Sequence, residues 1–241
     1  MIKFENVTKY YSGRKILDSL CLEIAEGDRI TIIGPSGSGK STLLKLLMGL
    51  HLPDAGAVYV DGEDITQMNR HDLQRVRFKL GLLFQHAALF DSMNVEDNVS
   101  FTLRENLNWD EKRIRHRVKE LLEMVEMSGF EKNMPSDLSG GQMKRIGLAR
   151  ALAHNPRALM FDEPTTGLDP ILSTNIENLM VKLSVKLNIT SIIVTHQLST
   201  ILRTADKIYL LHEGKLLPPE SPKTISDSKN KIIRNFIRGG L

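Results

Sequence analysis

The sequence predicts an α/β fold built on a mainly parallel sheet, and three observations carry that prediction. Short apolar runs alternate with longer stretches of helical spacing along most of the chain, the pattern of strands joined by crossover helices. Near the N-terminus, further short runs are separated by turn residues, as in a small antiparallel sheet. From Asp91 to Met134 no run has strand character, and WDEKRIRHRVKELLEMVEMSGF sets Ile114, Val118, Leu121, Leu122 and Val125 on one face. An inserted amphipathic helical region therefore interrupts the α/β pattern.

Taken in order, Ile2 to Val7, Leu20 to Ala25 and Ala57 to Val60 read as the strands of the antiparallel β-subdomain. Arg29 to Ile33, Leu80 to Phe84, Ala158 to Asp162, Ser191 to Thr195 and Lys207 to Leu211 read as the main sheet. The amphipathic helix ends near Gly129. The expected organisation is a single domain over 1–241. Its α/β core and β-subdomain come from 1–85 and 156–214, its helical subdomain from 86–155, and its C-terminal tail from 215–241. Within the tail, LLPPESPKTISDSKN reads as turn and linker.

Composition narrows the function classes. With 241 residues the chain can bury a sizeable core. A net charge of +3 is mildly basic and does not by itself indicate nucleic acid. The basic run Lys112, Arg113, Arg115, Arg117 and Lys119 alternates with Glu111, Glu120 and Glu123. It reads as a solvated helix face, so no nucleic-acid partner is expected. A single cysteine, Cys21, excludes an intrachain disulfide. MIKFENVTKY lacks the apolar run of a secretory signal, and ITIIG and SIIV fall far short of the roughly 20 residues that cross a bilayer. The expectation is a cytoplasmic protein that reaches any membrane through a partner.

The stretch IGPSGSGKST, Ile33 to Thr42, carries the first chemistry. Gly34, Gly39, Lys40 and Ser41 fill the pattern G-x-x-x-x-G-K-[ST], with Pro35, Ser36, Gly37 and Ser38 between them and Thr42 after them. An apolar strand, RITIIG, precedes the loop and a helical run, TLLKLLMGL, follows it. Glycines let backbone N–H groups turn inward, and the helix N-terminus adds positive potential, so the loop forms a cradle for phosphates. Lys40 is placed to reach the β- and γ-phosphates of ATP and Ser41 to ligate Mg²⁺. Such a pattern arises by chance in roughly one chain of this length in a hundred, so a second motif is needed. ALMFDEP supplies it: a buried strand delivers Asp162 and Glu163 at its C-terminal edge. Asp162 suits the Mg²⁺ shell and Glu163 a water attacking the γ-phosphate. Together the motifs specify a P-loop NTPase core that hydrolyses a nucleoside triphosphate.

A third motif, DLSGGQMKRIGLARAL, places Ser139, Gly140, Gly141 and Gln142 ahead of a helix whose Ile146, Ala149, Leu152 and Ala153 share a face. A serine hydroxyl and glycine amides at a helix start again suit an anion. One chain thus has two phosphate-binding helix starts, and a single ATP needs only one.

This combination resembles the ATP-binding subunits of ABC transporters over nearly the whole chain. The resemblance implies a homodimer through the ATP sites, in which the LSGGQ of one chain closes over the ATP held by its partner. It also implies, by matching position, that Gln85 after the strand GLLF senses Mg²⁺ and the attacking water and links to an integral-membrane permease. Asp169 in TTGLDP then makes contacts across the dimer, and His196 after SIIVT contacts the γ-phosphate. Tyr11 in KYYSGRKIL matches the aromatic that stacks on adenine, with Tyr10 as the competing choice.

LLFQHAALFDSMNVEDNVSFTLRE, MPSDLSGG, GLDPI and the terminal IRNFIRGG are similar to the Mla-type ATPases of bacterial phospholipid transport. The implied setting is the cytoplasmic face of the inner membrane, with permease subunits and lipid-binding accessory subunits as partners. Gln85, Leu89, Phe90 and Met93 are expected to form a groove for a permease helix, although Leu89, Phe90 and Met93 also suit a core. Importers of amino acids or metal ions share part of the pattern and stay open as an alternative. Two features depart from the Mla-type pattern: Gln142 stands where that group often varies, and the tail after Gly214 is short. A non-transport ABC ATPase is the other alternative. Against it, the stretch between the phosphate loop and Leu138 is too short for a long coiled coil, and the chain carries one ATPase unit.

Overall fold

A computed structural model describes residues 1–239 of the chain, which divide into two compact units. The first comprises Met1–Arg77 together with the chain from Thr190 onward, and the second Phe78–Ile189. The first unit opens with β1 (Ile2–Tyr11), β2 (Arg14–Ile24), β3 (Arg29–Ile33), α1 (Lys40–Leu47), β4 (Ala55–Val60), β5 (Glu63–Asp64) and α2 (Arg70–Arg77). An antiparallel sheet has the order β2-β1-β4-β5, as expected of the N-terminal runs. Alternation in β1 buries Ile2, Phe4 and Val7. The pairing of β1 with β2 slips between Phe4 and Val7, where Asn6 has φ +49°, a bulge that bends the strand. Both strands extend past their predicted ends because Tyr10 and Tyr11 pair with Lys15 and Arg14. A hairpin tip with polar residues shows no apolar alternation yet still completes its ladder.

The second unit contains β6 (Leu80–Leu83), α3 (Val95–Asn106), α4 (Glu111–Met124), α5 (Gly140–Leu152), β7 (Ala158–Asp162) and α6 (Pro170–Lys186). β6 and β7 run parallel, from Leu80 opposite Ala158 to Leu83 opposite Phe161. Ala158 to Phe161 are fully buried, each large side chain contributing about 1.5–3 kcal/mol of burial. α3 packs on both α4 and α5, and α4 buries Ile114, Val118, Leu121 and Leu122 as its spacing predicts. α3 and α4 start on polar caps: Asn94 Oδ1 accepts from the Asp97 amide at 2.8 Å, and Asp110 Oδ1 from the Arg113 amide at 2.7 Å. The basic run of α4 is only partly a solvated face. Arg117 donates to the Leu152 and Ala153 carbonyls and so caps the end of α5. Arg113 lies 3.8 Å over the Trp109 ring, and Arg115 pairs with Glu96 at 3.6 Å.

The chain returns to the first unit with β8 (Thr190–Thr195), α7 (Leu198–Thr204), β9 (Lys207–His212), β10 (Lys215–Leu216) and α8 (Lys231–Ile237). β3 lies between β8 and β9 and is parallel to both, while β10 turns back antiparallel to β9. A two-pronged pair, Arg29 to Asp206 at 2.9 and 2.7 Å, ties the start of β3 to the approach to β9. The tail is more than a linker. Its Ile225 and Ile233 join Ile33, Ile201, Ile208 and Leu210 in one buried cluster. Isolated apolar residues among Pro, Ser and Lys show no period, so this docking has no signature in composition.

Candidate functional site

Within each unit, parallel pairing brings predicted residues to one sheet edge. Ile33 pairs with Thr195, so Gly34 and His196 leave adjacent strand ends of the first unit. Leu83 pairs with Phe161, which sets the Gln85 turn beside Asp162 and Glu163 in the second. Ligands of α/β sheets bind outside such carboxyl edges.

The phosphate loop folds around its own lysine. Lys40 is buried, and its Nζ donates to the carbonyls of Gly34 at 2.8 Å and Pro35 at 3.0 Å. Gly39, the residue before α1, has φ +105°, and a Cβ there would lie 2.8 Å from Ile16 Cγ2, so only glycine fits the turn. No side chain caps the N-terminus of α1, and Ser41 and Thr42 in its first turn are half-buried. A cavity of about 390 Å³ opens here, lined by Pro35, Ser36, Gly37 and Ser38 together with Arg14, Lys15, Ile16 and the 212–214 turn. Within the loop, Ser38 Oγ is buried without a hydrogen-bond partner. An orphaned hydroxyl in the loop and the Arg14 and Lys15 cations lining the cavity fit a bound triphosphate. Arg14 and Lys15 were not anticipated. Their signal is two cations directly after the Ser12–Gly13 hairpin turn.

Tyr11 meets His51 edge-on at 5.8 Å, with Lys9 Nζ 5.5 Å from its ring centre. Tyr10 is 42% exposed and lies under Lys15 Nζ at 5.9 Å. Tyr10 thus touches a residue that lines the cavity, whereas the ring contacts of Tyr11 are with Lys9 and His51, which do not line it. His196 is exposed directly after β8.

In the second unit, Asp162 ends β7 and Glu163 follows with φ +48°. A left-handed conformation at a non-glycine residue is costly and persists only where its surroundings hold it. Thr166 N–H donates to the Glu163 carbonyl at 3.3 Å. Gln85 is half-buried, and its carbonyl accepts from Lys144 Nζ. Burial pushes Lys144 down to about 8, while the charges of Asp162 and Glu163 pull it back up. Ser41 in the first unit, and Asp162 and Gln85 in the second, each carry a hard oxygen of the kind Mg²⁺ takes.

The start of α5 is a reciprocal cap. Ser139 Oγ accepts from the Gln142 amide at 3.3 Å, and Gln142 Oε1 accepts from the Ser139 amide at 2.8 Å. The Ser139 O–H is still able to donate, beside exposed Gly140 and buried Gly141. Gln142 thus orients the serine from behind. Asp169 caps α6 through Oδ1, which accepts from Ile171 and Leu172 amides at 2.9 Å each, and its side chain is exposed. Around the expected groove, Phe90 is 42% exposed, and Leu89 and Met93 are half-buried. The Phe90 ring lies 4.9 Å from that of Phe101.

Comparison with known proteins agrees with the fold. The family model described as ABC transporter matches residues 17–166. The intermembrane phospholipid transport system ATP-binding protein MlaF of Haemophilus influenzae is 39% identical, over 99% of this chain and 90% of that protein. The methionine import ATP-binding protein MetN of Geobacillus kaustophilus is 40% identical, over 99% of this chain and 71% of that one. Among solved structures, a dimeric post-hydrolysis state of the ATP-binding cassette MJ0796 bound to ADP and Pi superposes with TM-score 0.84 at 34% identity. It covers 92% of this chain and 99% of that chain.

Proposed function

Since the chain belongs to the ABC transporter ATP-binding family and is an ATPase, we propose that it powers phospholipid transport between the inner and outer membranes of a bacterium. The observation that carries this reading is the near full-length similarity to the phospholipid transport protein of Haemophilus influenzae. It works as a homodimer in which the phosphate loop of one chain and Ser139, Gly140 and Gly141 of the other share each ATP. The two phosphate-binding helix starts in one chain, and the dimeric form of the related cassette, support that arrangement.

In this reading Lys40 and the amides of the 34–42 loop bind the phosphates, and Tyr11 stacks on adenine. Ser41, Asp162 and Gln85 hold Mg²⁺, which when bound neutralises charge on the β- and γ-phosphates. Glu163 accepts a proton from the attacking water, and His196 orients the γ-phosphate. Gln85, Leu89, Phe90 and Met93 meet a helix of the permease, which holds the chain on the cytoplasmic face of the inner membrane. Lipid-binding accessory subunits complete the assembly.

The similarity to a methionine importer supports a second reading, an ATPase for import of an amino acid. One experiment separates the two: purification of the chain with its membrane partner, followed by mass spectrometry of bound molecules and assay of ATPase stimulation. Phospholipid retention with stimulation by phospholipid supports the first reading. Retention and stimulation by an amino acid instead overturn it.

A further inference from the structure

The Gln85 turn is held by α5, the helix that begins at Ser139. Two consecutive alanines in the turn, Ala87 and Ala88, have φ +56° and +51°, a conformation that L residues avoid and keep only when their surroundings impose it. The surroundings are two cations of α5. Arg150 spreads its guanidinium across the turn, Nη2 donating to the Ala87 carbonyl and Nη1 to the Ala88 carbonyl, both at 2.7 Å. Lys144, 5% exposed, donates to the Gln85 carbonyl. Gly147 lies on α5 between them, and a Cβ there would lie 3.2 Å from Ala87 Cβ and 2.8 Å from Leu83 Cδ1. Positions 144, 147 and 150 share one helix face at three-residue spacing, so the helix presents cation, gap and cation to a turn that fills the gap.

We propose that Lys144 and Arg150 are positioning residues which fasten the Gln85 turn to α5, so that Gln85 and the Ser139 helix start move as one body. The proposal rests on the functional reading above for its consequence. ATP gripped at the Ser139 end of α5 then sets the Gln85 turn of the same chain, which links the two ATP sites of a dimer. A planar fork spanning two successive carbonyls is a property of arginine that lysine lacks. An ammonium with one acceptor, by contrast, is replaceable by a guanidinium.

The test uses the full chain carrying Arg150→Lys, Lys144→Met or Lys144→Arg, read by amide hydrogen exchange without nucleotide and by steady-state ATPase activity with Mg²⁺ and ATP. Arg150→Lys and Lys144→Met should speed exchange at residues 85–90 by about fivefold or more, with residues 34–42 unchanged. They should lower kcat about tenfold with KM within about twofold, and reduce the Hill coefficient for ATP toward one. Lys144→Arg should restore wild-type behaviour. Unchanged exchange at 85–90 in both disruptive variants overturns the tether. Faster exchange there with wild-type kcat and Hill coefficient overturns its part in catalysis. Faster exchange throughout the chain with a lowered Tm in all three variants assigns both residues to general stability and overturns the proposal. A wild-type chain that hydrolyses no ATP defeats the functional reading instead, and the exchange measurement still decides the tether.

Discussion

Asn98 clasps Phe90 from both sides: its Oδ1 accepts from the Phe90 amide at 2.8 Å and its Nδ2 donates to the Phe90 carbonyl at 3.0 Å. The same Nδ2 reaches the Met93 and Asn94 carbonyls at 2.9 and 3.1 Å, and Asn98 is fully buried. One carboxamide therefore shapes the loop that exposes the Phe90 ring.

Asn98→Leu keeps the branched shape and removes every one of these side-chain bonds, depriving the Phe90 amide and the Met93 carbonyl of Asn98 while the Phe90 and Asn94 carbonyls keep the Met93 and Asn98 amides. The expected cost is about 2–3 kcal/mol of stability, measured by urea denaturation at constant m-value. A change under about 0.5 kcal/mol would show that the loop finds other partners.

Phe90→Ala removes an exposed ring without emptying a buried site. It should weaken co-purification of the membrane partner, by about 2 kcal/mol if Phe90 anchors the interface, while nucleotide binding by the isolated chain stays normal. Normal recovery of the partner would remove Phe90 from the interface, and a variant unable to bind ATP would return it to a structural role.

Glu163→Gln keeps the shape of the side chain and removes its basicity. ATP should still bind and hold a closed dimer while turnover falls by about 10²-fold or more. Steady-state ATPase activity near the wild-type level would refute the assignment. Lys40→Ala should instead weaken triphosphate binding itself, which a direct titration with ATP reads.

Shared sites make a specific demand on mixed dimers. Combining a Lys40→Ala chain with a Ser139→Arg chain puts both defects in one site and leaves the other intact, so activity should partly recover. Mixed dimers that are shown to form and yet stay inactive would mean that sites are unshared or that both must fire.

His154 gives a pH dependence. Its ring meets Phe78 edge-on at 5.3 Å, and Nε2–H donates to the Leu80 carbonyl at 3.2 Å. Burial holds its pKa below the usual histidine value. The folded state therefore binds this proton less readily than the unfolded one, and stability falls as pH drops below about 6.5, the unfolded value. His154→Phe should lose less stability than wild type between pH 7.5 and 5.5, measured by Tm. Equal losses would show that His154 does not contribute to the acid sensitivity.

The phosphate loop, the β7 carboxylates and the Ser139 helix start were legible because each is contiguous: glycine torsions, helix capping and strand burial act between near neighbours. The same locality located β3 and β7 to the residue, since Ile30–Ile33 and Ala158–Phe161 are continuous buried runs bounded by the charged Arg29 and Asp162. The individual bounds of α2, α3 and α6 were not read, for α2 buries only Val76 and the apolar stripes of α3 and α6 are broken by buried polar residues such as Asn98 and Ser173. Only the tertiary structure decided what lies against the Gln85 turn. Lys144 and Arg150 resemble ordinary surface cations in sequence, and their value comes from carbonyls that long-range packing delivers to them. Likewise Ile225 and Ile233 of the tail acquire their role from Ile33 and Leu210, because burial depends on which apolar surfaces meet and periodicity records only those that recur along one element.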